Sequence, residues 1–415
     1  MTAHMPNRGR RTVRIRPSRL ARLFAPVAHA MLDRIDRGLA AGAIEATLPD
    51  GTARRLGGHA DGPVAIVRLA NWRALWKLAS GGSAGWYEAW AAGDWSSPDP
   101  VPLFDLFMRN RVPLGRVARA GALTKQLRRL GHWLRRNTPA RARANIAYHY
   151  DLGNDFYRPW LDAGMTYSSA MFPTPGMTLE AAQDAKLAAV LARTGVGPGD
   201  TVLEIGCGWG SFAEIAARVG VSVHGITLST EQRDYAEARA AAAGLTNARF
   251  TITDYRDVAG TYDAVASIEM VEAVGREYWP AYLHAVAAAL KPGGRAAIQL
   301  ITIDDAIFDA YAGNVDFIQA YVFPGGMLVS EREFRALAAA NGLAWRDRVG
   351  FGLDYAETLR MWRERFDEAA REGRLPPDFD RGFMDLWRYY LMYCEGGFRG
   401  GGIDVVQVTL VKDAA

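Results

Sequence analysis

The chain has 415 residues, 49% of them hydrophobic, and a formal net charge of +4, so it is long enough for two domains. Its only cysteines, Cys207 and Cys394, exclude a disulfide framework and a structural zinc site; no metal is predicted, and a reducing compartment is expected. No apolar run reaches the ~20 residues that span a bilayer, and the arginine-rich N-terminus lacks the apolar part of a secretory signal. We therefore expect a soluble, cytoplasmic protein.

Basic charge is concentrated in two segments. No acidic residue precedes Asp33, and none occurs between residues 106 and 150. Such segments dock on polyanions; without an RNA-binding signature we expect anionic lipid headgroups rather than nucleic acid. The second segment also carries apolar residues at helical spacing, namely Leu123, Leu127, Leu130, Trp133 and Leu134. This stripe predicts either an amphipathic helix on a membrane surface or an interdomain linker packed on the core.

These features predict four parts of the chain: a basic segment over 1–34, an N-terminal α+β domain over 35–110, a basic linker over 111–144 and a catalytic domain over 145–415. In the N-terminal domain we expect a strand over 64–69 and a helix over 72–79. Trp86, Trp90 and Trp95 follow, and they form either the core of this small domain or a substrate wall.

An apolar run in the catalytic part ends in Glu204 and then in three glycines separated by single residues, Gly206, Gly208 and Gly210. This pattern predicts a buried strand, a tight turn and a helix. Glycines allow positive φ and let a ligand lie against bare main chain, while the helix N-terminus supplies donors. Taken alone, such a turn also fits dinucleotide-binding folds.

Four more strands are predicted, over 221–228, 250–254, 262–268 and 295–301, each separated from the last by a helical pattern. This alternation predicts an α/β doubly wound sheet whose ligands bind at the carboxyl ends of the strands. A Lys-Pro-Gly-Gly turn over 291–294 is expected to end the helix before the last strand. The second strand ends without the acidic residue that binds a nicotinamide ribose, so a nicotinamide cofactor is less favoured.

Several motifs then resemble one family, the cyclopropane-fatty-acyl-phospholipid synthases and mycolic acid cyclopropane synthases, which are S-adenosylmethionine-dependent methyltransferases. The motifs are AYHYDLGNDFY from residue 147, MTYSSAMF from 165, EIGCGWG from 204, SIEMVE from 267, YVFPGG from 321 and YLMYCEGGF from 390. The resemblance covers 145–411, and 85–95 looks like the N-terminal domain of the bacterial phospholipid enzymes. It implies a seven-stranded, Rossmann-like methyltransferase domain with a smaller α+β domain, and a dimer formed through the latter.

The resemblance also implies the cofactor contacts. The positions that match the family's S-adenosylmethionine site are Tyr167, Ser168, Gly206, Gly208, Gly210, Thr227, Leu228, Gln232, Tyr255, Arg256 and Ile268. Thr227 and Gln232 have a competing role as caps of the helix that starts near Ser229, and Tyr255 as a core aromatic.

The chemistry implied is methyl transfer from a sulfonium to an alkene carbon of a membrane phospholipid acyl chain, at the inner face of the membrane. The resulting carbocation needs an aromatic pocket that excludes water. Segments able to line such a pocket contain Tyr311, Phe317, Tyr321, Phe323, Phe351 and Tyr355.

In the relatives a bicarbonate ion then removes a proton from the methyl group and closes the ring. The positions that match its binding site are Glu272, Tyr355, the backbone of Ile301, Ser169 in place of a cysteine and Gln299 in place of a histidine. Serine and glutamine still donate hydrogen bonds to an oxyanion, but glutamine cannot take up a proton as imidazole does. The resemblance implies a cyclopropane synthase-like enzyme, and we expect a cyclopropane product; the alternative is a methyl-branched unsaturated chain formed without ring closure.

Two other classes of function stay open at this stage, a non-catalytic lipid-binding relative and a methyltransferase for a small soluble molecule. Cys394 is expected to be a small buried hydrophobe, and His149 either orients a segment over the site or contacts substrate.

Overall fold

The computed structural model describes residues 19–115 and 152–414. The expectations for His149, for the apolar stripe of the second basic segment and for the start of the catalytic domain at 145 lie outside the described residues.

The N-terminal unit packs helices on a small mixed sheet of order β2-β1-β3-β4. Its strands are β1 Ala43–Thr47, β2 Ala53–Gly57, β3 Val64–Leu69 and β4 Trp95–Ser96. Its helices are α1 Arg19–Gly38, α2 Arg73–Ala91, α3 Val101–Arg109 and α4 Arg111–Leu114. The strand predicted over 64–69 is confirmed. The predicted helix begins at Arg73, its helical backbone is interrupted at Gly82 (φ 59°), and a second helical stretch continues α2 to Ala91.

Helix α1 crosses the boundary predicted at residue 34. Ala28, Leu32 and Ile35 lie at helical spacing and are all buried, which makes one apolar face for the core of this unit. Trp86 stacks on Trp95 with ring centroids 4.4 Å apart, as in a domain core.

The larger unit is a seven-stranded sheet of order β10-β11-β9-β8-β5-β6-β7, and the predicted α/β fold is confirmed. Its strands are β5 Thr201–Ile205, β6 Ser222–Thr227, β7 Ala248–Ile252, β8 Tyr262–Ile268, β9 Leu290–Ile303, β10 Leu343–Gly350 and β11 Ile403–Lys412. Strands β5 to β9 pair in parallel, and β11 runs antiparallel between β9 and β10. The carboxyl ends of β5, β6 and β8 therefore meet at one edge, where the site forms.

Helices cover both faces of this sheet. They are α5 Asn154–Tyr157, α6 Leu179–Thr194, α7 Ser211–Arg218, α8 Thr230–Ala242, α9 Trp279–Ala289, α10 Asp305–Ala312, α11 Phe317–Tyr321, α12 Glu331–Ala340, α13 Gly352–Arg371 and α14 Arg381–Arg399. In the described ranges, no helix combines the length and the apolar character that crossing a membrane requires.

The Lys-Pro-Gly-Gly segment differs from its prediction as a turn. Helix α9 does end at Ala289, but residues 291–294 belong to β9, where the register with β8 shifts between Tyr262 and Ala264. Gly293 has a φ of 75°, a backbone conformation that glycine allows where the strand is irregular.

The two units are joined through glycines of α14. A Cβ at Gly396 would lie 2.4 Å from the Cβ of Phe104, and one at Gly400 would lie 2.6 Å from the carbonyl of Asp105. Helix α3 can approach α14 this closely because these positions carry no side chain. This close approach holds the N-terminal unit against the C-terminal end of α14.

Candidate active site

A cavity of about 150 Å³, here called the turn cavity, lies at the carboxyl ends of β5, β6 and β8. Ten of the eleven residues predicted to contact the cofactor line it, namely Tyr167, Ser168, Gly206, Gly208, Thr227, Leu228, Gln232, Tyr255, Arg256 and Ile268. The sequence motifs, which are spread over about 100 residues, thus meet at one place.

The three glycines of the turn have different tasks. Gly206 (φ 81°) and Gly208 (φ 51°) line the turn cavity, and a Cβ at Gly206 would lie 2.2 Å from Met270. Gly210 (φ 85°) does not line it; the residue precedes α7 and packs against Ala236 on α8. Its contact with the cofactor stays a prediction, and the structure shows that this glycine closes the turn against the neighbouring helix.

The polar residues after β6 combine capping with exposure to the cavity. Ser229 is the N-cap of α8 and accepts from the backbone N–H of Gln232 at 3.3 Å. The Thr227 hydroxyl accepts from the N–H of Ser229 at 3.1 Å and donates to Gln232 Oε1 at 2.9 Å. Capping thus falls to Ser229, and Thr227 and Gln232 fix each other at the cavity wall.

A buried lysine beneath the turn cavity was not foreseen from the sequence. Lys186 of α6 is completely buried and donates from Nζ to Ser168 Oγ at 2.6 Å. Burial lowers the pKa of Lys186 to about 8, and burial raises the pKa of the neighbouring Glu204 to about 8. Lysine recurs too often on helix surfaces for its sequence position alone to reveal such a site.

A second cavity of about 420 Å³, here called the apolar cavity, adjoins the turn cavity. Tyr167 and Glu269 line both cavities, so they stand at the junction. Of the aromatics predicted for a substrate pocket, Tyr311, Phe323 and Tyr355 line the apolar cavity, whereas Phe317, Tyr321 and Phe351 do not. Cys394 lines it from α14, where burial raises the pKa of its thiol and keeps it a small hydrophobe.

The far wall of the apolar cavity comes from the N-terminal unit. Residues of α2 and α3 contribute, including Leu78, Trp86, Phe104, Phe107 and Met108. The cavity therefore spans both units of the protein, and its walls are mainly hydrophobic and aromatic. Such a shape accepts a long apolar chain rather than a small polar molecule.

Three hydrogen-bond donors at the junction of the cavities converge on the carboxylate of Glu269. Oε1 accepts from the backbone N–H of Ser169 and from Gln299 Nε2, both at 2.8 Å, and Oε2 accepts from the Tyr355 hydroxyl at 3.0 Å. Glu269 follows β8 directly and has a φ of 51°, an unusual conformation for a residue with a side chain. Backbone strain of this kind is concentrated at functional sites.

Glu272 forms a separate contact. Its Oε1 accepts from the backbone N–H of Ile301, and its Oε2 has no hydrogen-bond partner among the described residues. Burial and the charge of Glu269 raise the pKa of Glu272 to about 8. Both effects favour the protonated form of this carboxyl.

Comparison with known proteins agrees with this geometry. The family described as mycolic acid cyclopropane synthetase matches residues 137–408. The chain belongs to this family. It is an S-adenosylmethionine-dependent methyltransferase that modifies fatty acyl chains.

Relatives in the family are named for different products. A tuberculostearic acid methyltransferase of Mycobacterium tuberculosis is 39% identical over 385 residues, which cover 88% of this chain and 82% of the relative. The cyclopropane-fatty-acyl-phospholipid synthase of Escherichia coli K12 is 37% identical and covers 64% of this chain and 66% of its own.

Among solved structures, that of the mycolic acid cyclopropane synthase CmaA1 complexed with SAH and CTAB is similar, with a TM-score of 0.62 and 31% identity. It covers 65% of this chain and 98% of the CmaA1 chain.

The predicted bicarbonate site does not form around a single anion. Of its five positions, Glu272 is itself a carboxyl, and the other four divide between two carboxyl groups: Ser169, Gln299 and Tyr355 donate to Glu269, and Ile301 donates to Glu272. Ser169 contributes its backbone N–H, because its hydroxyl donates to the carbonyl of Ala170 at 2.9 Å. The residues do not fit a bicarbonate ion, since a carboxylate of the chain already occupies the donors.

Glu269 was present in the motif that identified the family, yet the sequence pointed to Glu272 as the functional carboxylate. One signal was available: an acidic residue directly after a strand lies at the ligand-binding edge of the sheet. The glutamate that accepts these hydrogen bonds is determined by distant segments. Ser169 precedes Glu269 by 100 residues and Tyr355 follows it by 86.

Proposed function

We propose that this methyltransferase adds a methyl group to the double bond of an unsaturated acyl chain in a membrane phospholipid and releases a methyl-branched unsaturated chain without closing a ring. The observation that carries the proposal is the carboxylate of Glu269 on the three donors at the junction of the cavities.

The turn cavity is the proposed site of S-adenosylmethionine. Gly206 and Gly208 offer bare main chain, Thr227 and Gln232 offer hydrogen bonds near the end of β6, and Tyr255 with Arg256 form one wall. The bound cofactor would supply an electrophilic methyl group. Tyr167 stands between the two cavities, where it separates cofactor from acyl chain.

The acyl chain would lie in the apolar cavity with its double bond near Glu269. As the alkene carbon takes the methyl group, the sulfur keeps the electron pair of the broken bond and the adjacent carbon becomes a cation. The faces of Tyr311, Phe323 and Tyr355 are available to stabilise this cation, and the apolar walls exclude the water that would add to it.

Glu269 is the proposed general base. It would take a proton from a carbon beside the cation, and the electron pair of that C–H bond would form the new double bond. The three donors hold the carboxylate in one orientation and stabilise its charge before the proton arrives.

The branched product is preferred for two reasons. Within residues 19–115 and 152–414, the donors predicted for a diffusible base are already taken by Glu269 and Glu272. A base tied to β8 reaches only the protons near its fixed position. The tuberculostearic acid methyltransferase also aligns over both units of this chain, whereas the E. coli cyclopropane synthase aligns over 64% of it.

A phospholipid substrate at the inner face of the membrane is part of the proposal. It is supported by the volume of the apolar cavity and by the basic segments of the sequence, which provide charge for an anionic surface. Dimer formation through the N-terminal unit stays a prediction.

The test is lipid analysis of a heterologous host that is fed methyl-labelled methionine and expresses the wild type or Glu269→Gln. We expect the wild type to give a labelled chain, one CH2 heavier, that takes up hydrogen under mild conditions, and Glu269→Gln to lower its yield by about 1000-fold.

Glu372→Gln, at an exposed site after α13, is the matched control and should behave as the wild type. A labelled product that resists hydrogenation would be a cyclopropane and would contradict the proposal. Full activity of Glu269→Gln would contradict the role of the base.

A further inference from the structure

A chain of side-chain hydrogen bonds runs from the protein surface through the centre of the sheet to Glu269. Arg193 Nε donates to Gln407 Oε1 at 3.1 Å, and Gln407 Nε2 donates to Gln299 Oε1 at 3.0 Å. Gln299 Nε2 then donates to Glu269 Oε1 at 2.8 Å. Two amides in series therefore join a guanidinium to the carboxylate at the junction of the cavities.

Strand register dictates this chain. Gln299 on β9 and Gln407 on β11 are direct partners in the antiparallel ladder, and both are completely buried. Their neighbours in sequence are Ile298, Leu300, Val406 and Val408, so each amide interrupts a run of apolar residues. Burying an amide is costly unless its hydrogen bonds are made, and here each amide has a partner at its oxygen and at its nitrogen.

The surface end of the chain is also fixed. Arg193 lies in the last turn of α6, and its Nη1 donates to the carbonyl of Asp347. Asp347 has a φ of 51° and lies where the β10–β11 pairing shifts register between Arg346 and Val349. This bulge points a carbonyl at the guanidinium and holds Arg193 in reach of Gln407.

The two ends determine the direction of every hydrogen bond. Arginine is only a donor, so Gln407 must present its oxygen to Arg193 and its nitrogen to Gln299. Gln299 must then present its oxygen to Gln407 and its nitrogen to Glu269. A flipped amide would place the NH2 group of Gln407 against the donors of Arg193. Gln299 therefore presents a donor to Glu269 Oε1, and such a donor stabilises the ionised carboxylate more than the protonated carboxyl.

We propose that Gln407 and Arg193 are positioning residues that lock the amide of Gln299 with its nitrogen toward Glu269 and so keep this carboxylate ionised and oriented for proton removal. The inference rests on the proposed role of Glu269 as the base. The other titratable groups that face Glu269 are Tyr355 on α13, Lys186 on α6 and Glu272 after β8. Burial raises the pKa of Glu269, and the charge of Lys186 and the three donors oppose that rise.

The test compares purified full-length variants by methyl transfer from labelled S-adenosylmethionine to vesicles of unsaturated phospholipid, with kcat measured across pH. Gln407→Met keeps the length of the side chain and removes the donor to Gln299. We expect kcat at neutral pH to fall by about tenfold while both KM values stay unchanged. The acid limb of the kcat profile should move to higher pH, so that the deficit narrows as pH rises.

Two variants of Arg193 keep the test independent of packing in the sheet, because this side chain is half-buried at the edge. Arg193→Met should change kcat and the acid limb in the same direction by a smaller amount. Arg193→Lys should restore the wild-type profile, because an ammonium donates to the same oxygen.

Thr409→Val is the matched control. Thr409 lies two residues beyond Gln407 on the same face of β11, is buried, and its hydroxyl has no hydrogen-bond partner among the described residues. We expect it to match the wild type. An unmoved acid limb in Gln407→Met and Arg193→Met overturns the inference, whether or not kcat falls. Formation of a cyclopropane by the wild type would instead contradict the proposed function. Analysis of the lipid product detects that outcome without any of these variants.

Discussion

The turn cavity and the apolar cavity are neighbours, but they are built in different ways. The turn cavity is assembled at adjacent strand ends of one sheet, and each of its walls is a short motif of consecutive residues. The apolar cavity draws its walls from both units, from α2 at one end of the sequence to α14 at the other. The turn cavity is therefore a local product of sequence motifs, whereas the apolar cavity and the donors around Glu269 depend on contacts between distant segments.

The largest effect that sharpens this comparison concerns the base. Glu269→Gly should lower turnover by about 1000-fold and leave the donors Ser169 N–H, Gln299 and Tyr355 unoccupied. Glycine also suits the positive φ at this position, so the fold should be retained. Added bicarbonate should then restore turnover in a saturable manner, measured as labelled methyl groups in lipid.

Glu269→Gln serves as the control for that experiment, because its amide fills the same space and should block rescue. If bicarbonate restores turnover equally in both variants, or does not restore it in the glycine variant, the carboxylate of Glu269 does not occupy an anion site.

A smaller effect is expected in the turn cavity. In Gly206→Ala the added Cβ meets Met270 at 2.2 Å and pushes that side chain toward the space for the cofactor. We expect S-adenosylhomocysteine to bind about tenfold more weakly by calorimetry, a change of about 1.4 kcal/mol.

Gly244→Ala provides the comparison, because Gly244 also has positive φ (67°) but a Cβ there meets nothing within 4 Å. If Gly206→Ala and Gly244→Ala weaken S-adenosylhomocysteine binding equally, strain at positive φ rather than the contact with Met270 explains the loss of affinity.

An effect of the same size is expected at the wall that the N-terminal unit provides. Phe107→Trp should fill part of the apolar cavity and lower kcat/KM for unsaturated phospholipid by about tenfold, without changing cofactor affinity. Val112→Trp adds the same ring at an exposed site in the same unit and should have no effect. A change in cofactor affinity for Phe107→Trp would mean that the two cavities are not independent.

Predictions from the sequence succeeded where the structure is local. The strand ends that form the turn cavity were predicted from apolar runs and glycine spacing, and ten of the predicted contacts line it. Gly210 was the exception, because its partner Ala236 lies on a helix whose approach to the turn has no sequence signature.

The base site shows why other predictions failed. Ser169, Gln299 and Tyr355 were predicted to hold a bicarbonate ion, and in the structure their donors contact the carboxyl group of Glu269. Two glutamates three residues apart have equal chemistry, so the sequence does not show that Glu269, with its φ of 51°, is the one that meets those donors.

The amino-acid sequence by itself determined the family, the α/β fold and the strand ends that form the turn cavity, because strand periodicity and glycine turns act over a few residues. Tertiary structure alone decided which carboxylate takes the donors, which strands align Gln299 with Gln407, and which unit closes the apolar cavity. The reason is physical: hydrogen-bond direction and burial depend on distances of about 3 Å between segments that the chain separates by 100 residues or more.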